Sequence, residues 1–251
     1  MTRHEPAPVW TAESLADPHR IGDKARRVEH MFDAIAPSYR LVNTLASAGR
    51  DASWRRRGVA LARVRSDDDV LDVACGTGDF ARAFTAGRTS PRSVWGTDFA
   101  GNMLRLASAG TEAAITWCRS DAHRLPFADA SFSIVSCAFG IRNFQRLDVG
   151  LREMRRVLRP GGRAVILEFS MPRGPILRRL YKLYMLRIMP IAATLVSRDR
   201  TGAYRYLPRS VLSFADEGEI LASLCRAGFA SVEPHRLTGG IVTAYVAEVG
   251  P

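Results

Sequence analysis

The chain has 251 residues, of which 47% are hydrophobic, and it carries a formal net charge of +11. This length and apolar content predict one large globular domain with a sizeable core. No run of about 18 uncharged apolar residues occurs, which argues against a membrane-spanning helix, and the four cysteines lack the spacing of a zinc site. The excess of basic residues is typical of proteins that bind nucleic acid or anionic membranes, but nearly all of them are arginine, a bias that coding composition also produces.

The N-terminal segment predicts little regular structure. Residues 1–25 are polar and contain prolines, so we expect a flexible tail there. The tail lacks a basic segment followed by an apolar run, and scattered cysteines suit a reducing compartment, so we expect a cytoplasmic protein. A single domain is expected over residues 26–251. It begins with helical patterns on both sides of Pro37, which we expect to cover a pocket.

Strand-like and helical runs alternate from residue 70 to residue 169. The strand-like runs end at Val73, Asp98, Arg119, Ala138 and Phe169. Such alternation predicts a parallel sheet with right-handed crossovers, and alternating apolar residues at 241–249 predict a final antiparallel strand. The alternation of strands and helices is interrupted at residues 171–213, which predicts an insertion that forms a lid.

The most informative stretch is the first strand and its turn, Val-Leu-Asp-Val-Ala-Cys-Gly-Thr-Gly-Asp at residues 70–79. Glycine lets backbone approach a ligand closely, and a strand, a Gly-rich turn and a helix form a nucleotide site at the carboxyl edge of a sheet. Asp98 follows the next strand, where a carboxylate accepts hydrogen bonds from ribose hydroxyls. The dinucleotide pattern fails because position 81 is alanine, and Asp72 and Asp79 would repel a pyrophosphate. A cationic nucleoside, S-adenosylmethionine, fits better.

The spacing Asp72-x-Ala74-x-Gly76-x-Gly78 resembles motif I of class I methyltransferases. The resemblance implies a Rossmann-like α/β fold: a seven-stranded, mostly parallel sheet with helices on both faces and an antiparallel last strand. It also implies S-adenosylmethionine as cofactor and no metal, with Asp121 and Ala122 at the adenine. The expected cofactor-binding residues are Asp72, Ala74, Gly76, Thr77, Gly78, Asp98, Met103, Asp121, Ala122 and Ala138.

A closer resemblance covers about residues 28–246. The pieces Phe-Asp-x-Ile-Ala-x-x-Tyr at 32–39, Phe-Gly-Ile-Arg-Asn at 139–143 and Leu-Glu-Phe-Ser at 167–170 are similar to the ubiquinone/menaquinone C-methyltransferase family. The resemblance implies methylation of a ring carbon of a polyprenyl quinol. Arg40 and Met171 depart from the family pattern and leave the identity of the quinone ring open.

The loop after the fourth strand is expected to hold the catalytic residues. Arginine stays protonated at ordinary pH, so Arg142 suits the stabilisation of a phenolate. Asn143 and Tyr39 are expected to hold ring oxygens, and Tyr39 is a candidate proton relay. The alternative for Arg142 is a structural arginine paired with a carboxylate. Glu168 is open between substrate contact and structural pairing, and His123 is expected to face solvent.

The same loop lacks the Asp/Asn-Pro-Pro-aromatic and Pro-Cys signatures of nucleic-acid methyltransferases. We therefore expect no nucleic-acid partner despite the basic charge. Two alternatives remain: a methyltransferase for another small aromatic or prenylated metabolite, and a non-catalytic cofactor-binding subunit of a quinone-synthesis complex. A homodimer is also left open.

Residues 176–189 predict an amphipathic helix within the insertion. Its apolar stripe comprises Leu177, Leu180, Tyr181, Tyr184, Met185 and Ile188. Seven basic residues and one acidic residue lie between residues 173 and 200. Such a helix either rests on an anionic membrane, here the inner face of the cytoplasmic membrane, and admits a polyprenyl tail, or packs as a lid with a solvated arginine face.

Overall fold

The computed structural model of the chain describes residues 9–11, 13–110, 114–189, 191 and 202–251. A seven-stranded sheet has the order β3-β2-β1-β4-β5-β7-β6, in which β7 runs antiparallel to both of its neighbours and the other strands share one direction. This confirms the predicted Rossmann-like sheet with an antiparallel last strand. The strands are β1 (Asp69–Val73), β2 (Ser93–Asp98), β3 (Ile115–Arg119), β4 (Phe132–Ala138), β5 (Leu158–Phe169), β6 (Ser231–Leu237) and β7 (Val242–Glu248).

Helices cover both faces of this sheet. They are α1 (Lys24–Ala46), α2 (Asp51–Ala62), α3 (Asp79–Thr85), α4 (Gly101–Ala109), α5 (Leu147–Arg156), α6 (Pro175–Leu183), α7 (Ala203–Leu212) and α8 (Glu217–Arg226). Successive side chains of a strand point to opposite faces. Val70 of β1 therefore packs in the cluster with α2, α3 and α6, whereas Leu71 and Val73 pack in the cluster with α5 and α8.

Helix α1 is continuous through Pro37, so the predicted interruption there is wrong. A proline inside a helix leaves the carbonyl four residues earlier without its donor. Here that carbonyl belongs to Asp33, and it accepts a hydrogen bond from Asn102 Nδ2 at 3.1 Å. The Asp33 carboxylate also accepts from the Asn102 backbone N–H at 2.8 Å. The external donor supports the helix at its weak point and ties α1 to the first turn of α4.

The N-terminal segment is folded from residue 9 where it is described, in contrast to the flexible tail predicted for residues 1–25. Trp10 is 2% exposed and stacks on Tyr206 with 4.2 Å between ring centroids. Its indole N–H lies 3.2 Å from the Met31 sulfur. Leu15 is buried in the same cluster. The polar composition of the segment hid these two apolar anchors, and residues 1–8 and 12 lie outside the described residues.

The predicted apolar stripe of residues 176–189 is divided between two sides of the helix. Tyr181 and Met185 are buried, while Leu180 and Ile188 are more than half exposed. A π-helical turn at Tyr184–Ile188 follows α6, and its wider turns rotate later side chains away from the α-helical phase. Residues 190 and 192–201 lie outside the described residues, as do three of the charges counted at 173–200. Among the helices that are described, none combines the length and apolarity needed to cross a bilayer.

Candidate active site

A cleft of about 690 Å³, partly open to solvent, lies at the carboxyl ends of β1, β2 and β4. Strand β1 sits between β2 and β4, so the chain leaves β1 at the point where the strand order reverses, a usual ligand position in such sheets. Nine of the thirteen predicted site residues line this cleft. They are Tyr39, Ala74, Gly76, Asp98, Met103, Asp121, Ala122, Ala138 and Asn143.

Two loops approach each other closely at the sheet edge. Ala74 after β1 and Phe139 after β4 both have left-handed backbones, with φ of 52° and 60°. A Cβ added to Gly140 would lie 2.9 Å from the Ala74 Cβ, so glycine is needed at that contact. Non-glycine residues in this region cost about 1–3 kcal/mol each and cluster at ligand sites. The site therefore rests on two strained, mutually packed turns.

Asp98 lies in the cleft and links the loop after β1 to the start of α4 through hydrogen bonds. Its carboxylate accepts from the Gly76 N–H at 2.8 Å and from the Ala100 N–H at 2.9 Å. Burial outweighs these hydrogen bonds and raises the pKa of Asp98 to about 6. Each carboxylate oxygen has a second acceptor position, so the predicted ribose contact remains geometrically open.

Asp72, Thr77 and Gly78 do not line this cleft. They support the loop that follows β1. Asp72 is fully buried, and its carboxylate accepts from the Ser136 hydroxyl at 2.7 Å and from the Ala81 N–H at 3.0 Å. Burial raises its pKa to about 7. The Thr77 hydroxyl donates to Asp79, and Gly78 packs against an aromatic ring that a Cβ would strike. The Gly78 backbone is also left-handed, with φ of 81°, so glycine is required there for a conformational and a steric reason.

The region predicted for adenine contains Asp121 and Ala122, but it also includes His123. This histidine does not face solvent as expected: its side chain is 18% exposed and lines the cleft. Its Nδ1 lies 2.5 Å from the Asp121 carboxylate, and its Nε2 accepts from the Arg146 N–H at 3.0 Å. It therefore orients Asp121 within the wall. Phe99 and Phe144 add aromatic surface nearby that sequence reasoning missed.

A second cavity of about 470 Å³ adjoins the first. Phe32, Tyr39 and Phe139 line both. The remaining walls come from Met31, Ile35, Asn43, Arg142, Ala203, Tyr206 and Leu207. The cavity is mainly apolar, as small-molecule sites usually are.

Arg142 lines this second cavity, and both of its predicted roles find support in the geometry. Its Nη1 donates to Glu168 at 2.9 Å, and Glu168 is fully buried. Burial is the largest influence and disfavours the charged form, but the combined interactions with Glu168, Tyr206 and Tyr39 outweigh it and raise the pKa of Arg142. Its buried Nε has no acceptor within the described part of the chain. The pairing with a carboxylate is therefore present, and one N–H is left for a ligand.

Three further polar side chains lie around Arg142. The Tyr206 hydroxyl donates to Asn143 Oδ1 at 2.9 Å. Burial raises the pKa of Tyr39, which keeps its phenol protonated and favours hydrogen-bond donation over proton abstraction. Tyr206 was not among the predicted site residues.

Lys24 is a buried residue of this region that sequence reasoning also missed. It is 2% exposed, and its Nζ donates to the carbonyls of Arg142 and Phe144 at 2.7 and 2.8 Å. Burial lowers its pKa to about 8 and lowers that of neighbouring His19 to about 4. The lysine thus holds the ends of the loop that presents Arg142. Its only sequence signal is that Lys24 is one of two lysines in an arginine-rich chain.

The two cavities differ in the chemistry they offer. Carboxylates that accept hydrogen bonds surround the first, which suits a cationic nucleoside, while arginine and tyrosine donors surround the second, which suits an aromatic oxyanion. Within the described ranges, no group of three or more His, Cys, Asp or Glu residues is placed to hold a metal ion.

Comparison with known proteins identifies the family of the chain and relatives that share its fold. Residues 20–248 match the model of the ubiE/COQ5 methyltransferase family. The chain is 40% identical over 234 residues to a ubiquinone/menaquinone biosynthesis C-methyltransferase from Geotalea daltonii, covering 91% of this chain and 99% of the relative. It is 44% identical over 241 residues to a demethylmenaquinone methyltransferase from Deinococcus radiodurans, covering 95% and 99%. A methyltransferase solved with its Trm112 activator, from Haloferax volcanii, shares the fold with a TM-score of 0.64 at 17% identity, covering 88% and 98%.

Proposed function

The chain belongs to the ubiE/COQ5 methyltransferase family, and we propose that it methylates a ring carbon of a polyprenyl quinol, either a demethylmenaquinol or a ubiquinone-precursor benzoquinol. It is a methyltransferase of quinone biosynthesis, and its cofactor is S-adenosylmethionine. The observation that carries the choice of substrate is the second cavity, whose mainly apolar walls include Arg142 and which adjoins the cofactor cleft.

The residues of the larger cleft fit the cofactor. Asp98 accepts from the ribose hydroxyls, while Asp121 and the Ala122 N–H hold the adenine. The close approach of Ala74, Gly76 and Gly140 leaves backbone, with no bulky side chain, beside the ligand. The cofactor supplies an electrophilic methyl group on a sulfonium, and the surrounding carboxylates complement that positive charge.

The second cavity activates the quinol ring. A quinol hydroxyl that loses its proton to water places negative charge on the adjacent ring carbon. That carbon would take the methyl group that the bound cofactor supplies, with S-adenosylhomocysteine as the leaving group. The ring hydrogen would then pass to water as a proton, and aromaticity would return. The Nε–H of Arg142 stabilises the phenolate oxygen, and the buried site strengthens that hydrogen bond relative to water. The negative charge of Glu168 offsets the positive charge of Arg142. The pair therefore stabilises the phenolate mainly through the directed hydrogen bond from Nε–H.

Tyr39 and the Asn143–Tyr206 pair position the ring. Tyr39 lines both cavities, so its protonated phenol stands where the ring and the methyl donor meet. Holding carbon, methyl and sulfur in line accounts for much of the acceleration of such a displacement. These polar groups therefore set the ring orientation, while the apolar walls from Phe32 and Phe139 exclude water.

Methyl transfer to a defined panel of quinols tests this function. The full chain is incubated with methyl-labelled S-adenosylmethionine and short-tailed demethylmenaquinol or benzoquinol substrates under reducing conditions. We expect label on a ring carbon, located by mass spectrometry. The oxidised quinones are the matched control, since they cannot form the phenolate. Cofactor binding without label in any quinol would contradict the function and would favour a non-catalytic subunit.

We also propose that α6 and the following turn rest on an anionic bilayer from which the substrate enters. Ile176, Leu180, Leu183 and Ile191 are 77%, 58%, 54% and 63% exposed, an unusual density of large apolar side chains on one helical segment. The basic residues beside them, Arg178, Arg179, Lys182 and Arg187, are exposed as well. Exposed apolar side chains combined with basic charge are typical of a helix that lies in the membrane interface. A helix in that position would let the prenyl tail pass from the bilayer to the site without crossing water.

Vesicle co-sedimentation tests the membrane contact. The chain is expected to bind vesicles containing phosphatidylglycerol at low salt and to bind pure phosphatidylcholine vesicles weakly. The Leu180→Asp/Leu183→Asp variant should lose binding. Leu106→Asp is the matched control, because Leu106 is an exposed leucine on α4. Equal binding by both variants would remove the membrane proposal and leave the methyl-transfer function intact.

A further inference from the structure

A small pocket of about 290 Å³ lies beside the first turn of the sheet edge. Tyr39, Ala74, Gly76 and Ala138 line both this pocket and the larger cleft, so the two spaces adjoin. Arg55 of α2 is the only basic side chain among the described residues that line the pocket. Sequence analysis assigned no role to Arg55, and neither the adenine nor the ribose contacts use it.

The guanidinium of Arg55 is held in place by its neighbours, and one of its edges has no hydrogen-bond acceptor among the described residues. The residue is 6% exposed, its Nη1 donates to Asp51 at 2.6 Å, and its guanidinium lies 5.8 Å from the Phe139 ring centroid. Its Nε is buried and meets no acceptor among the described residues. Because Nη1 is committed to Asp51, Nε and Nη2 form the edge that remains. This planar edge matches the two oxygens of a carboxylate.

The bound cofactor brings a carboxylate of its own. Its nucleoside end is assigned to Asp98 and Asp121, so its methionine end extends away from them, past Gly76. That end carries an α-carboxylate and an α-ammonium. The small pocket offers groups of both signs, since Arg55 is accompanied by Asp79. A lone anion would also meet the Asp79 carboxylate, whereas an amino-acid zwitterion is complemented at both charges.

We propose that Arg55 binds the α-carboxylate of S-adenosylmethionine through its Nε edge. The proposal rests on the proposed placement of the nucleoside in the larger cleft, and it makes α2 part of the cofactor site. Asp51 then acts as a positioning residue, because it fixes the guanidinium by taking Nη1. The alternative is that Arg55 only braces α2 against Asp51 and Phe139.

Calorimetry without any quinol separates these two roles. S-adenosylhomocysteine carries the carboxylate, and its decarboxylated analogue, S-adenosyl-3-thiopropylamine, differs only in lacking it. The wild-type protein should bind the decarboxylated analogue about tenfold to a hundredfold more weakly, as expected for a lost charge-assisted hydrogen bond. Equal affinity for the two ligands would overturn the proposal without any variant.

Substitution then assigns the effect to this side chain. Arg55→Met should weaken S-adenosylhomocysteine by about tenfold to a hundredfold and abolish the difference between the two ligands. Arg55→Lys should restore part of that difference. Arg56→Met is the matched control, since Arg56 is the exposed neighbour on α2, and it should leave both affinities unchanged. An equal loss for both ligands in Arg55→Met would show a bracing role and contradict the proposal.

The outcome of these binding measurements does not depend on which substrate the protein methylates. If the quinol panel fails but Arg55 discriminates the two ligands, the carboxylate contact stands and the proposed substrate falls. If the quinols are methylated but the ligands bind equally, only the contact falls.

Discussion

The two cavities of the cleft differ in what their walls offer, and that difference divides the reaction. The cofactor cavity is built on the sheet edge and presents the carboxylates of Asp98 and Asp121. The neighbouring cavity is built from α1, α7 and the loop after β4, and it presents Arg142, Tyr39 and apolar rings. The proposed function assigns a cationic donor to the first cavity and an anionic acceptor to the second, two sites of opposite character. Only Phe32, Tyr39 and Phe139 belong to both among the described lining residues.

The pairing of Arg142 with Glu168 allows stability and catalysis to be separated, and it carries the largest expected effect. Arg142→Leu leaves Glu168 buried without its partner, so the free energy of unfolding should fall by about 3–5 kcal/mol. Arg142→Leu/Glu168→Leu should recover most of this loss, because two apolar side chains replace the pair. Denaturant unfolding measures both variants. Equal destabilisation by the single and double changes would show that Glu168 is stabilised by other contacts.

Asp98 provides the corresponding test in the cofactor cavity. Asp98→Asn should raise the dissociation constant for S-adenosylhomocysteine by about tenfold to a hundredfold, since hydrogen bonds to a charged acceptor contribute about 1.5–3 kcal/mol. Turnover at saturating cofactor should change far less. Calorimetry and initial rates check this. Asp67→Asn, at an exposed carboxylate outside the cleft, is the control. Unchanged affinity in Asp98→Asn would remove Asp98 from the ribose site.

The buried carboxyl of Asp72, behind the cofactor cavity, makes stability depend on pH. Burial raises the pKa of Asp72 to about 7, above its ordinary value near 4. Between these pH values the folded protein binds more protons than the unfolded chain, so stability falls as pH rises from about 4 to 7. A loss of about 1 kcal/mol would lower the melting temperature by roughly 2–4 °C.

Asp72→Asn isolates this effect, because an uncharged amide can keep partners in Ser136 and Ala81. The melting temperature of the variant should decline less than that of the wild type over the same pH range. Thermal unfolding at several pH values measures the difference, and parallel profiles for the two proteins would assign the pH dependence to other groups.

The smallest expected effect concerns Tyr206 in the second cavity. Tyr206→Phe removes its hydrogen bond to Asn143, and such a bond contributes about 1 kcal/mol. We expect turnover to fall by about fivefold with cofactor affinity unchanged. Tyr181→Phe is the matched control, because the buried Tyr181 hydroxyl has no partner among the described residues. A larger effect in the control than in Tyr206→Phe would assign the loss to packing.

The sequence predicted the cofactor cavity better than its neighbour, and the reason is physical. The turns after β1 and β2 are local, so a few residues in order specify both the strand end and the carboxylate that follows. Asp98 was located in this way. Asp72, Thr77 and Gly78 were predicted by the same pattern, but they do not line the cofactor cavity itself, because a motif records which residues a turn needs without separating contact from support.

The second cavity depends on contacts between distant segments, which no local pattern reveals. Lys24 reaches the carbonyl of Arg142 across 118 positions, and Trp10 stacks on Tyr206 from a segment that appeared polar. The rescue of Pro37 by Asn102 is equally non-local. Within α6, Tyr181 is buried while its neighbour Leu180 is exposed, so the predicted stripe is already divided before the π-helical turn begins. Arg142 itself was found through the family resemblance, while its buried partner was left open.

The most direct test measures both cavities in one protein, the Arg142→Leu/Glu168→Leu variant. Calorimetry gives its affinity for S-adenosylhomocysteine, and labelled cofactor gives its methyl transfer to a demethylmenaquinol. We predict cofactor affinity within about twofold of the wild type and turnover lowered by about a hundredfold or more, the loss expected for one positioned donor. Retained turnover, or cofactor affinity lost together with turnover, would contradict the division between a carboxylate-lined cofactor site and a donor-lined ring site.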